Sequence, residues 1–320
     1  MAVRNGKANS TSVETQVESS KSSENERKAA LVKFADSVYN KPLSKAPIAQ
    51  ILNGQEPEKI GLFIKENILD AIDWKGEIPT HTHVFSSGVE ERGVLLQSPR
   101  INVIQVSQRF IELRDDDEEG GIKAGTLLNM VFESNEGYEF YMANKEKYVL
   151  RRFYFVFVLD ENNQNLHQVP IAISLKGVAS TKLGMALEEF QSSLETAFAN
   201  YNCTNRSSKK EEFHRLGVFH PTFAPSHEPK TEPNAKKRSW VAIVESFTTP
   251  NPDGSDFLNF FCEWKEAEYN ELVATNPDLA MSIGKLSPII QEHNRLVSGG
   301  IRYLPPAIDM VNGELEEPPY

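Results

Sequence analysis

Residues 148–159 read Tyr-Val-Leu-Arg-Arg-Phe-Tyr-Phe-Val-Phe-Val-Leu. Side chains of a strand alternate between its faces, so Phe153, Phe155, Phe157 and Leu159 share one side and Tyr154, Val156 and Val158 the other. Both sides are apolar, which predicts a central strand covered on two faces. Asp160-Glu161-Asn162-Asn163-Gln164-Asn165 follows as a run of turn formers that reverses the chain. The return arm places Val169, Ile171, Ile173 and Leu175 inward and Ala172, Ser174 and Lys176 outward. Pro170 lacks a ladder donor, which predicts that this arm begins at or borders a sheet edge. Ser180 and Thr181 are candidate N-caps of a helix on which Leu183, Leu187, Phe190, Leu194, Ala197, Phe198 and Tyr201 recur at helical spacing. Strand, strand, helix is the unit to which the rest must attach.

Outward from this unit, strands are predicted around residues 48–54, 61–64, 83–113, 127–132, 216–223 and 240–244, the last two forming a second hairpin with a basic tip. Asp256 is a candidate cap for a helix carrying Phe257, Phe260, Phe261, Trp264 and Leu272, and a last helix over 288–298 stops at Gly299-Gly300. A short helix is predicted over 27–39. Strands outnumber helices. The expected class is α+β: a bent or barrel-like antiparallel sheet with a long amphipathic helix and a small C-terminal helical part. The expected organisation is a disordered tail over 1–26, a β-rich main domain over 27–250, a helical region over 251–300 and an acidic tail over 301–320.

The 320 residues carry 45 Asp and Glu against 34 Lys and Arg, a net charge of −11, which argues against uniform coating of a polyanion. The distribution is uneven. Residues 145–240 hold 14 Lys and Arg against 10 Asp and Glu, so the middle is mildly basic and the flanks acidic. The two cysteines, Cys203 and Cys262, have no neighbours at metal-ligand spacing, which argues against a disulfide framework or a zinc knuckle. No apolar run approaches the roughly 20 residues that span a bilayer. A soluble, cytoplasmic protein is the expectation.

Nucleophile elbows, phosphate-cradling glycine loops and Cys–His pairings are absent from the sequence, which weighs against an enzyme. His81-Thr82-His83 puts two imidazoles on one face of a strand, and with Asp70, Asp73 and Glu77 nearby it defines the metal-dependent nuclease or hydrolase alternative; two exposed histidines without a metal are the preferred reading. The carboxylate run Asp115-Asp116-Asp117-Glu118-Glu119 reads as a solvated loop, because contiguous carboxylates do not converge on one ion.

Positive charge interleaved with rings is the chemistry of single-stranded nucleic-acid binding. Arg151, Arg152, Tyr154, Lys176 and Lys182 around the central hairpin, with Lys209, Lys210, Lys236, Lys237 and Arg238 in two loops, are the candidate contacts, and Tyr154 is the candidate stacking ring. The alternative is a structural or adaptor protein that binds other proteins, and a homo-oligomer is compatible with either reading.

The last seven residues, Glu-Leu-Glu-Glu-Pro-Pro-Tyr over 314–320, resemble the terminus of bacterial and phage single-stranded-DNA-binding proteins, with Tyr320 where those tails carry Phe. That resemblance implies an oligonucleotide-binding-type barrel and a partner surface at Leu315, Glu316, Glu317, Pro318, Pro319 and Tyr320. It implies a non-enzymatic accessory of replication or recombination in a phage or mobile element, with no cofactor. Ile-Ala-Ile-Ser-Leu-Lys-Gly over 171–177 and Phe-His-Pro-Thr-Phe over 219–223 also resemble uncharacterised proteins of cyanobacterial and phage or plasmid origin.

Overall fold

The computed structural model describes residues 46–85, 88–117, 120–228, 230, 239–262, 293, 294 and 297. The predicted tails, the helix over 27–39, Lys236, Lys237, Arg238, the helix beyond Cys262 and most of the helix over 288–298 lie outside them.

The chain is α+β. Its strands are β1 (Ile48–Leu52), β2 (Gly61–Lys65), β3 (His81–Val84), β4 (Glu90–Leu96), β5 (Arg100–Val106), β6 (Phe110–Leu113), β7 (Leu127–Val131), β8 (Tyr148–Leu159), β9 (Ile171–Lys176), β10 (Val218–Phe219), β11 (Pro221–Glu228) and β12 (Ser239–Phe247). Helices α1 (Glu66–Ala71), α2 (Asn135–Ala143), α3 (Gly177–Tyr201) and α4 (Glu211–His214) lie between them. Ten strands form one sheet in the order β10-β5-β8-β9-β1-β2-β4-β3, with β6 pairing β8 and β7 pairing β6; β11 and β12 form a separate hairpin.

β8 is the central strand, and all residues from Phe153 to Leu159 are buried. Phe153, Phe155, Phe157 and Leu159 enter a cluster with Ile104, Phe110, Leu127, Ala172 and Val218. Each such ring stabilises the fold by about 2 kcal/mol through its removal from water. The opposite face of β8 lies under α3, where the Tyr154 hydroxyl donates to the Ser180 carbonyl at 3.1 Å. The turn after β8 forms as its composition predicts: the Asp160 carboxylate accepts from the amides of Asn162 and Gln164, each at 2.8 Å, and Asn163 takes a left-handed φ of 61°.

Three expectations are corrected. The sheet is mixed, because β1 runs parallel to β9. Pro170 does not mark an edge: β9 lies between β8 and β1, and Pro170 stands just before the first paired residue, so its missing donor costs no ladder bond. Helix α3 begins three residues before Ser180. Lys176 is its N-cap without a side-chain bond, and Gly177, at φ +56°, turns the chain directly from strand to helix.

The sheet is strongly curved. β4 and β5 are five strand spacings apart along it, about 24 Å if it were flat, yet only residues 97–99 join them, a reach of about 15 Å. The curl does not close the sheet, since β4 pairs with β2 and β3 and not with β5. Among the described residues no helix is long and apolar enough to cross a membrane.

Candidate functional site

Adjacent residues of a strand face opposite ways, so Arg151 and Arg152 leave β8 on opposite sides of the sheet. Arg151 joins the side of Phe153. There its guanidinium pairs with both carboxylate oxygens of Glu112 on β6 and donates to Ser174 Oγ at 2.7 Å. Lys176 reaches the same carboxylate at 2.9 Å. Glu112 is fully buried. Burial pushes its carboxyl pKa up, but bonding and attraction from Arg151 and Lys176 outweigh this and hold it below the usual range. Two of the predicted nucleic-acid contacts are therefore engaged in pinning β6, β8 and β9 together.

Arg152 projects to the other side, beside α3. It lines a cleft of about 280 Å³ bounded by Val103 to Val106 of β5 and Ser107 just after it, by Tyr154, by Gly184, Leu187, Glu188 and Gln191 of α3, and by Glu211, His214 and Arg215. Gly184 gives the cleft its depth: a methyl group there would stand 3.4 Å from the Tyr154 hydroxyl and 3.8 Å from Arg152 Nη1. Tyr154 itself is 1% exposed, and burial raises its pKa. The expectation of a stacking ring at Tyr154 is corrected, because α3 covers it.

The arginines of the cleft are only partly satisfied. Arg152 Nη2 lies 3.6 Å from Glu133, which Arg109 already engages at 2.8 Å. Arg215 Nη2 lies 3.3 Å from Glu211, whose side chain is 84% exposed. The Nε atoms of both arginines are buried with no hydrogen-bond acceptor among the described residues. The far wall is held by Glu195, a buried carboxylate on α3 that accepts from the Lys209 amide at 2.7 Å and faces His214 Nε2 at 3.0 Å and Arg206 at 3.6 Å. Burial alone would raise its pKa, and these partners together hold it low.

One wall of the cleft is a strand with a partly open edge. β10 covers β5 only at Ile101 and Asn102, and among the described residues no strand continues on that side. The Ser107 amide donates to Phe153 O at 2.9 Å, and the Phe153 amide donates to Ser107 Oγ at 2.9 Å. Ser107 thus faces β8. Alternation turns the N–H and C=O of Val106 away from β8, toward the open side.

The remaining expected contacts do not join this cleft. Lys182 is exposed on α3. Lys209 Nζ stands 5.1 Å from the Phe198 ring centre, and Lys210 caps α4. Lys236, Lys237, Arg238 and Leu315, Glu316, Glu317, Pro318, Pro319 and Tyr320 lie outside the described residues.

His81 and His83 are not freely exposed. Both are half-buried against the Phe63 ring, at 5.7 and 6.1 Å between centroids, and desolvation lowers the pKa of each. No group of three His, Cys, Asp or Glu among the described residues is arranged to hold a metal. In the carboxylate loop, Asp116 accepts from the Ala124 amide at 2.8 Å and Lys123 at 3.3 Å, which closes the loop on itself.

The fold also assembles a Ser–His contact that sequence spacing did not reveal. His220 Nε2 lies 3.1 Å from Ser98 Oγ and 3.0 Å from Ser98 O. Ser98 Oγ in turn lies 3.2 Å from Pro221 O. Carbonyls only accept, so Nε2–H donates to Ser98 O, and Ser98 Oγ has Pro221 O and the Thr222 hydroxyl, at 2.9 Å, as its other partners. The ring nitrogen then has no lone pair for the serine proton, and the pair staples the β4–β5 connection to β11 instead of activating a nucleophile.

Residues 44–284, three-quarters of the chain, match the model of a domain of unknown function, DUF5895. The chain belongs to this family. The cleft, the open edge of β5 and the Glu112 cluster all fall inside the matched span. A curated relative, uncharacterized protein 254L of Invertebrate iridescent virus 6, is 31% identical over 113 residues, which are 35% of this chain and 33% of the viral protein. The chain thus matches about a third of the length of that relative. No solved structure matches.

Proposed function

We propose that the chain is a non-enzymatic adaptor that binds other proteins, and that its binding site is the cleft between the open edge of β5 and α3. The observation that carries this reading is the Val106 backbone, whose N–H and C=O face away from β8 beside that cleft. An edge of this kind is a template for one more strand, with main-chain bonds giving affinity and the cleft giving side-chain selectivity.

Nucleic-acid binding draws support from the basic balance of residues 145–240 and from the resemblance of the acidic end. The described geometry adds little to it. Arg151 and Arg152 diverge to opposite faces, Glu112 neutralises part of the charge, and Tyr154 is covered. An oligonucleotide-binding-type barrel, the finer fold reading, draws on the curl between β4 and β5, although the sheet stays open.

The test is selection from a random peptide-display library on the full chain, repeated on Val106→Pro. Proline removes the outward-facing N–H and leaves the β8 ladder intact. Peptides enriched on the native chain and lost on the variant, with slowed exchange of the Val106 amide, are the expected result. Enrichment identical on both proteins would overturn the reading, and salt-sensitive binding of an oligothymidylate at low salt would favour nucleic acid.

A further inference from the structure

Resting on the adaptor reading, we infer that the strand accepted at β5 carries an acidic side chain, and that Arg152 and Arg215 receive its carboxylate.

The inference starts from an imbalance of donors. A guanidinium offers five N–H donors in a planar fork, and a buried donor without an acceptor is costly. Arg152 and Arg215 line one cleft from separate elements, β8 and the turn after α4, and the Nε of each is buried without an acceptor among the described residues. Arg152 also interacts with the Tyr154 hydroxyl, but the carboxylate partners of the two arginines are loose: Glu133 stands at 3.6 Å and is shared with Arg109, and Glu211 is at 3.3 Å on a largely solvated side chain. Guanidinium favours a carboxylate that accepts two parallel bonds, and among the described residues neither arginine has one. A carboxylate arriving beside β5 supplies acceptors to both buried Nε atoms and releases Glu211 to water.

Position agrees with charge. Val106, Tyr154 and Arg152 share the face turned to α3, so a strand added along β5 directs alternate side chains into the cleft. Gly184 leaves room for them. Val103, Val106 and Leu187 suit flanking β-branched side chains. Glu188 lines the same cleft and opposes an incoming carboxylate, which gives the inference a signed consequence: neutralising Glu188 strengthens binding.

The experiment takes the peptides enriched on the full chain and measures their affinity by calorimetry for the native protein, Arg152→Met, Arg215→Met and Glu188→Gln. Each variant is first checked for native thermal unfolding, and Arg215→Met carries the test if Arg152→Met does not fold. The expected result is enrichment of Asp or Glu at one fixed position. Each arginine change then weakens binding by about tenfold or more, the peptide with Asn or Gln at that position loses the difference, and Glu188→Gln tightens binding. Peptides that still require the open Val106 edge but show no acidic preference would overturn the carboxylate and leave the adaptor reading standing. No peptide dependent on that edge would remove both.

Discussion

Glu112 and Arg151 form an ion pair across β6 and β8 in which the carboxylate is fully buried and the guanidinium nearly so, with Lys176 of β9 closing the group from the solvent side. Three strands are locked by one carboxylate. A buried pair adds little compared with apolar packing, but removing one partner strands the other charge in a poor dielectric.

Glu112→Gln is therefore expected to destabilise the fold by about 3–5 kcal/mol, read from urea denaturation at neutral pH. The acid limb follows from the same carboxyl. Its folded pKa lies below its unfolded value of about 4.3, so its contribution is complete above that value and is lost as pH falls through the lower folded pKa. The native protein should lose stability in that window, and Glu112→Gln should show a flatter dependence there.

His167 predicts a separate, earlier loss. Its Nε2 accepts from the Val158 amide at 2.8 Å and its Nδ1–H donates to Val169 O at 2.7 Å, so the ring is fixed as one neutral tautomer. Burial lowers its pKa to about 4. The unfolded ring protonates near 6.5, so stability from this group is complete above that pH and declines by about 3 kcal/mol as pH falls to 4. An NMR titration of the ring that gives a value near 6.5 would refute this.

Ser107→Ala removes the hydroxyl that stands in for a backbone acceptor of the Phe153 amide, a buried donor. The expected cost is about 1–3 kcal/mol, with faster exchange of the Phe153 amide. An unchanged exchange rate would show that another acceptor takes its place.

Gly184→Leu fills the cleft from α3 while replacing glycine in a helix interior, a change that favours the helix by about 1 kcal/mol. The expected outcome is a chain that unfolds at the same or a higher temperature but no longer binds the selected peptides. Retained affinity would place the peptide elsewhere.

The order of apolar residues specified local structure. Alternation in residues 148–159 and 171–176 and the helical stripe from Leu183 to Ala197 are set by the geometry of neighbouring side chains, so β8, β9 and α3 are legible in the sequence alone. The two-sided burial of β8 and the hairpin of β11 and β12 were legible for the same reason. Tyr154 was not. On a strand apolar on both faces, pattern cannot distinguish a ring under a helix from a ring open to water.

What only the tertiary structure decided is which distant residues meet. Glu112 precedes Arg151 by 39 residues, and Arg152 and Arg215 line one cleft from separate elements. Local propensity carries no information about either encounter, because both depend on strand order and on the curl of the sheet. The chain's sequence therefore fixed the strands, the long helix and the charge it carries; the three-dimensional packing divided that charge between a buried pin and an open cleft, since adjacent strand residues point to opposite faces and only the sheet's neighbours determine what each one finds there.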